Sequence, residues 1–232
     1  MKIGSQTKKS KIRVVFFDVH DTLIYINQTP PEIFQILCQE SGVGVDLNLL
    51  KKLYLNPNDL ERRREAFGND VGFWMDLNAR LLTQLEISDP DQSLVKKIVE
   101  GFKEVRWWDS YPDAISTLQK LKVAKYQLGV IANSRHLVIG RLDHTGLTSF
   151  FDTITYSEEV GASKPDRRIF EAALQRAGCQ PQEAIHIGDR WVEDIEGARN
   201  AGIKPVLLDR KSEHPHASCA RVQTLEEIFQ FL

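Results

Sequence analysis

Cysteine is scarce in this chain: Cys38, Cys179 and Cys219 are the only three among 232 residues. They are widely spaced and odd in number, which argues against a disulfide framework and fits a reducing cytoplasm. None stands beside another Cys or His at zinc-finger spacing. Cys219 follows His214 and His216, in a stretch that reads as a polar loop rather than a metal site. Net charge is also nearly absent, at −2, so no general attraction to nucleic acid or membrane is expected. No apolar run approaches the ~20 residues of a membrane-spanning helix. Residues 1–11 are polar and lysine-rich without an apolar centre. They read as a frayed tail and not as a secretory signal. Internal repeats and low-complexity segments are lacking as well.

What is present begins with Val14-Val15-Phe16-Phe17, a run of β-branched and aromatic residues without alternation. That pattern predicts a strand buried on both faces, as in a parallel sheet. It runs straight into Asp18, and open α/β sheets bind ligands at the carboxyl ends of their strands. From about Pro30 to Val105 no buried strand is evident. Helical spacing appears instead over Pro31–Cys38, Leu47–Tyr54, Asn58–Phe67, Val71–Leu85 and Asp89–Phe102. Arg62, Arg63 and Arg64 on the third of these read as a solvated face.

Beyond Trp107 the pattern alternates. Helices are predicted over Asp113–Leu121 (Ile115, Leu118 and Leu121 on one stripe), Leu137–His144, Asp166–Ala177, Trp191–Ala201 and Leu225–Leu232. Strands are predicted over Tyr126–Ile131, Phe151–Tyr156, Ala184–Ile187 and Lys204–Leu208. Alternating strands and helices predict a parallel sheet, here with an all-helical insertion. The expected division is a core of 1–24 with 106–232 and an insertion of 25–105.

Four segments carry a resemblance to a known family. Asp18-Val19-His20-Asp21-Thr22 follows the first strand, Ala132-Asn133 ends the second core strand, Lys164-Pro165 lies in a later loop, and Gly188-Asp189 through Asp194 ends the fourth. In order and spacing the chain resembles the haloacid dehalogenase-like (HAD) hydrolases. The resemblance implies a Rossmann-like α/β core with a helical cap, a lid that excludes water and selects substrate.

Parallel strands end on one edge, so Asp18, Asn133 and Asp189 are expected to converge there, with Lys164 reaching in. Asp18, Asp189 and Asp194 would repel one another in an empty site. A hard divalent cation with oxygen ligands resolves that repulsion, and Mg²⁺ suits a site shared with a phosphate. By resemblance, Asp18 is the nucleophile that forms an aspartyl-phosphate, and Lys164 offsets charge on it and on the phosphoryl oxygens. Thr22, Asn133 and Lys164 are placed against the substrate. Mg²⁺ is implied on Asp18, Asp189 and the backbone carbonyl of His20, with Asp194 as a direct or indirect ligand.

Two positions depart from the family pattern. His20 stands where phosphatases of the family carry an acid–base Asp, leaving His20 or Asp21 to move the proton. Ala132 stands where Ser or Thr is usual, which removes one hydrogen bond to the phosphoryl group, a loss of about 1.5–3 kcal/mol. The expected function is a Mg²⁺-dependent phosphatase acting on a small phosphorylated metabolite, as a monomer or homodimer. The alternatives are a metal-independent 2-haloacid dehalogenase and a catalytically weak or inactive binding protein.

Overall fold

The strands in chain order are β1 Val14–Phe17, β2 Ile24–Ile26, β3 Trp108–Ser110, β4 Gln127–Ala132, β5 Thr153–Tyr156, β6 Ala184–Gly188, β7 Lys204–Leu208 and β8 Ala220–Val222. The structure, a computed structural model, describes residues 12–54, 71–134 and 136–232. The expected N-terminal tail and the Asn58–Phe67 helix with its three arginines lie outside the described residues. The chain divides into two compact units, Met1–Tyr25 with Trp108–Leu232, and Ile26–Trp107.

In the first unit six strands form one sheet in the order β5-β4-β1-β6-β7-β8, and every pairing is parallel. All four side chains of β1 are buried. Successive side chains alternate between faces. Val15 and Phe17 join a core with Leu118, Leu121, Leu142 and Ile228. Val14 and Phe16 join the opposite one with Ile169, Phe170 and Ala173. Burial on both sides is why the run has no polar member. Gly129 of β4 belongs to the same packing, since a Cβ there would lie 2.6 Å from the Phe16 ring.

The register fixes the site. Phe17 is level with Val130 on one side and Ile187 on the other. Asp18 therefore leaves β1 flush with the ends of β4 and β6, and its N–H donates to the Ile187 carbonyl at 2.8 Å. After β1 the chain builds outward through β4 and β5, then returns to β6 on the far side of β1. That reversal of strand order is where doubly wound sheets open a ligand crevice.

Several elements differ from the sequence expectation. Ala114, Thr117, Leu118 and Leu121 are the buried face of the Pro112–Val123 helix, while Ile115 is exposed. The closing segment Leu225–Phe231 is a 3₁₀ helix. Strands β2, β3 and β8 were not expected; each is only three residues long. That is too short for periodicity to register.

The second unit is helical among its described residues: Pro30–Gln39, Leu47–Leu53, Val71–Gln84 and Ser93–Gly101. Capping sets the starts. The Glu32 carboxylate accepts from the Thr29 N–H at 2.8 Å, and Asp46 accepts from the N–H groups of Asn48 and Leu49. The last helix begins at Ser93 and not Asp89, because the Asp89 and Asp91 carboxylates are spent on its free N–H groups. Ile33, Phe34 and Leu37 form the buried stripe of the first helix. Gly101 lets the Leu37 side chain approach to where a Cβ would stand. No helix among the described residues is long and apolar enough to cross a membrane.

Candidate active site

The ends of β4, β1 and β6 carry Asn133, Asp18 and Asp189. Lys164 comes from the loop after β5. Its buried ammonium donates to Asp18 Oδ1 at 2.6 Å and to Asp194 Oδ1 at 2.6 Å. The loop is held by Asn133. The Asn133 Nδ2 amide donates to the Lys164 carbonyl at 2.9 Å, and the Lys164 N–H donates to Asn133 Oδ1 at 2.6 Å. Asn133 thus spends its side chain on positioning Lys164.

Asp194 is set by a widened turn. Residues Trp191–Glu196 form a π-helical turn, in which the Ile195 N–H reaches the Arg190 carbonyl five residues back. Such turns re-aim side chains at functional sites. Here the turn points Asp194 inward, fully buried. Its Oδ1 also accepts from His186 Nε2 at 2.9 Å, and its Oδ2 from the Arg190 N–H at 3.0 Å. Gly188 makes room: a Cβ there would lie 2.2 Å from Asp194 Cγ. His186 lies inside a buried strand and packs edge-on against Phe170. Sequence reasoning passed over it, although a histidine within an otherwise apolar buried strand was a usable signal.

The electrostatics follow from three carboxylates and one ammonium. Oxygens of Asp18, Asp189 and Asp194 lie within 4.8 Å of one another. Burial, then Asp194, pushes the Asp18 carboxyl up to about 6 against the pull of Lys164. Burial, then Asp18 and Asp194, pushes Asp189 up to about 7. Asp194 goes the other way. Burial would raise it, but Lys164 and His186 outweigh that and hold it below the usual carboxylate range. Burial opposes the charge on Lys164, and its two carboxylates more than restore it. Asp189 Oδ1 is buried with no hydrogen-bond partner among the described residues. An orphaned carboxylate oxygen among crowded like charges is a donor set that fits a divalent cation.

Thr22 is buried, its hydroxyl has no partner among the described residues, and its carbonyl accepts from Arg210 at 3.0 Å. Asp21 takes a left-handed φ of 57°, a conformation that Asp tolerates better than most residues. It lines a cavity of about 110 Å³ with Tyr111, Asp189, Arg210 and His214. Ala132 is buried at the end of β4 and offers no hydroxyl.

His20 turns toward Arg141, a residue that sequence reasoning missed. Its Nε2 lies 2.7 Å from Arg141 Nη1. Its ring is tilted on Trp108 at 4.8 Å between centroids. Burial, then Arg141 and Lys164, pushes its imidazole down to about 3. Arg141 is 121 residues away in sequence, and nothing local marks it.

A family model for haloacid dehalogenase-like hydrolases matches residues 12–202. The glyceraldehyde 3-phosphate phosphatase of Methanothermobacter thermautotrophicus is 29% identical over 94% of this chain and 97% of its own. That of Methanopyrus kandleri is 31% identical over 86% and 84%. A phosphoserine phosphatase of Thermus thermophilus is 37% identical over 55% of this chain and 53% of its own. Among solved structures, the HAD-hydrolase YfnB of Bacillus subtilis, bound to magnesium, superposes with a TM-score of 0.74 at 21% identity over 96% of this chain and 99% of that one. The fold, the acidic cluster with its lysine and these matches lead to one conclusion: the chain belongs to the haloacid dehalogenase-like hydrolases.

Proposed function

We propose that this hydrolase is a Mg²⁺-dependent phosphatase that cleaves a small phosphorylated metabolite through an aspartyl-phosphate on Asp18. The observation that carries the reading is the cluster of buried Asp18 and Asp194 with half-buried Asp189 around Lys164, in which one Asp189 oxygen has no partner among the described residues. A hydrolase of carbon–halogen bonds without a metal has no use for that extra acid. The phosphatase names of the relatives lend the reading further support.

Asp18 and Asp189, with the backbone carbonyl of His20, are the groups assigned to the ion. Asp194 adds charge, with its oxygens largely engaged by Lys164, His186 and Arg190. When bound, Mg²⁺ supplies positive charge against the phosphoryl oxygens and keeps Asp18 ionised. Asp18 then attacks phosphorus and the bond to the leaving oxygen breaks. Water attacks the same phosphorus, the Asp18–phosphorus bond breaks, and inorganic phosphate departs; the proton that the water gives up balances the one that the leaving oxygen takes, and His20 or Asp21 is assigned to carry it. Lys164 stays within hydrogen-bond reach of Asp18 throughout, offsetting charge that spreads over the transferring group. Thr22 and the backbone of Asn133 are assigned to the phosphoryl oxygens, and the helical unit of 26–107 to the choice of substrate.

The test is hydrolysis of p-nitrophenyl phosphate with and without Mg²⁺, in the native chain and in Asp18→Asn. Turnover that needs the ion and is lost in the variant is expected. Chloride release from a 2-haloacid without metal would replace this reading with a dehalogenase, and no turnover of either would replace it with a binding protein.

A further inference from the structure

We propose that His186, a residue that touches none of the reacting atoms, positions Lys164 for catalysis. It donates to the same Asp194 oxygen that holds Lys164, and by sharing that oxygen it keeps the ammonium available to the phosphoryl group. The proposal rests on the phosphatase reading of Asp18.

The contacts form an unbroken chain. His186 Nε2 lies 2.9 Å from Asp194 Oδ1. Lys164 Nζ donates to that same oxygen at 2.6 Å and to Asp18 Oδ1 at 2.6 Å. An ionised carboxylate only accepts, so the imidazole N–H is the donor. The other Asp194 oxygen accepts from the Arg190 N–H. Oδ1 therefore divides its charge between His186 and Lys164. A lysine ammonium has three donors. Lys164 spends two of them, and the third has no partner among the described residues.

Packing holds the imidazole in place. His186 is fully buried and level with Phe16 of β1. Both side chains thus point to one face of the sheet, where Phe16 packs with Phe170. The Phe170 ring, on the Arg167–Ala177 helix, meets the imidazole at 90° with centroids 5.4 Å apart. Gly197 closes the packing behind it. A Cβ there would lie 2.7 Å from the Phe170 ring and 3.0 Å from Pro165 Cα, next to Lys164.

The consequence appears during turnover. In the resting site Asp18 and Asp194 both attract Lys164. Once Asp18 bonds phosphorus, its oxygen no longer carries a full charge, and Asp194 becomes the stronger of the two. An Asp194 with no other donor would draw the ammonium onto itself. His186 already occupies part of that oxygen, so Lys164 keeps a donor for the phosphoryl oxygens. The role needs an N–H and no change in the charge of His186. His186 acts through Asp194 and Lys164 and is a positioning residue.

The experiment measures kcat and KM for p-nitrophenyl phosphate with Mg²⁺, on the full chain and per folded molecule. His186→Leu, which removes the donor, should lower kcat about tenfold, as for one lost hydrogen bond, with KM changed by less than about twofold. His186→Gln sets an amide N–H where Nε2 stands and does not titrate. It should recover most of the loss. His186→Asn ends nearer the position of Nδ1 and should not; it replaces His186→Leu in the comparison if the leucine variant fails to fold. A histidine that served stability alone would lower the melting temperature and leave kcat per folded molecule as it was. That result, a loss carried by KM, or no recovery in His186→Gln would overturn the proposal while native turnover upheld the phosphatase reading. No Mg²⁺-dependent turnover in the native chain would overturn both.

Discussion

Asp18 and Asp189 hold their protons unusually far up the pH scale, to about 6 and about 7. Between those values and the ordinary 3.8, the folded metal-free chain binds more protons than the unfolded one. Their contribution to stability therefore falls as pH rises through that window. Protons and Mg²⁺ compete for the same oxygens. The rise in melting temperature on adding Mg²⁺ should accordingly grow between about pH 5.5 and 7.5. His20 and His186, held neutral by burial, act in the opposite sense. Comparing melts with and without the ion at each pH cancels their part. Asp189→Asn removes one of the crowded charges. Without metal at pH ~7.5 it should be more stable than the native chain, on the order of 1–2 kcal/mol, and its melting temperature should no longer respond to Mg²⁺. A variant that melted lower, or still responded to the ion, would put the crowding elsewhere.

At the same scale, legibility was uneven. Asp18, Asn133 and Asp189 could be brought together from sequence because each follows a strand that must end on one edge. Lys164 and Asp194 were legible only through the resemblance. Arg141 was not legible at all: its pairing with His20 depends on how the Leu137–His144 helix lies against β1, which no local pattern encodes. Asn133 is expected to meet the substrate through its backbone N–H, and its side chain has a separate task, since it is committed to the Lys164 backbone.

Among the elements, the long and periodic ones were readable, and the irregular ones were not. Sequence spacing gives a plain helix over Trp191–Ala201, yet the chain widens it into a π-helical turn before Gly197. The cause is tertiary. Asp194 must reach Lys164 and His186 at once, and a regular helix would aim it elsewhere. Gly188 is the other half of that fit. Gly188→Ala should push Asp194 off Lys164. We expect a loss of about 1–3 kcal/mol in denaturant melts, typical of overpacking, together with a fall in phosphatase turnover of at least about tenfold. Ile115→Ser, on the exposed side of the Pro112–Val123 helix, should change stability by no more than about 0.5 kcal/mol. Leu118→Ala, on the buried side, should cost about 2–5 kcal/mol. The contrast distinguishes the observed stripe from the one that spacing suggested.

For the whole molecule, the pattern changes period after Leu23 and again beyond Trp107, and the structure divides into Met1–Tyr25 with Trp108–Leu232, and Ile26–Trp107. Within the α/β unit, the strands that bear the candidate site are neighbours in space and strangers along the chain. β1 pairs with β4 and β6, so Asp18 meets its partners only across more than a hundred intervening residues of chain. Such pairings close large loops and form late in folding. A partly folded or truncated chain should therefore hold no residual affinity for divalent ions. In that sense ion uptake is a gauge of completed assembly: the same three strand ends that would serve chemistry also certify that the sheet has closed in its proper order.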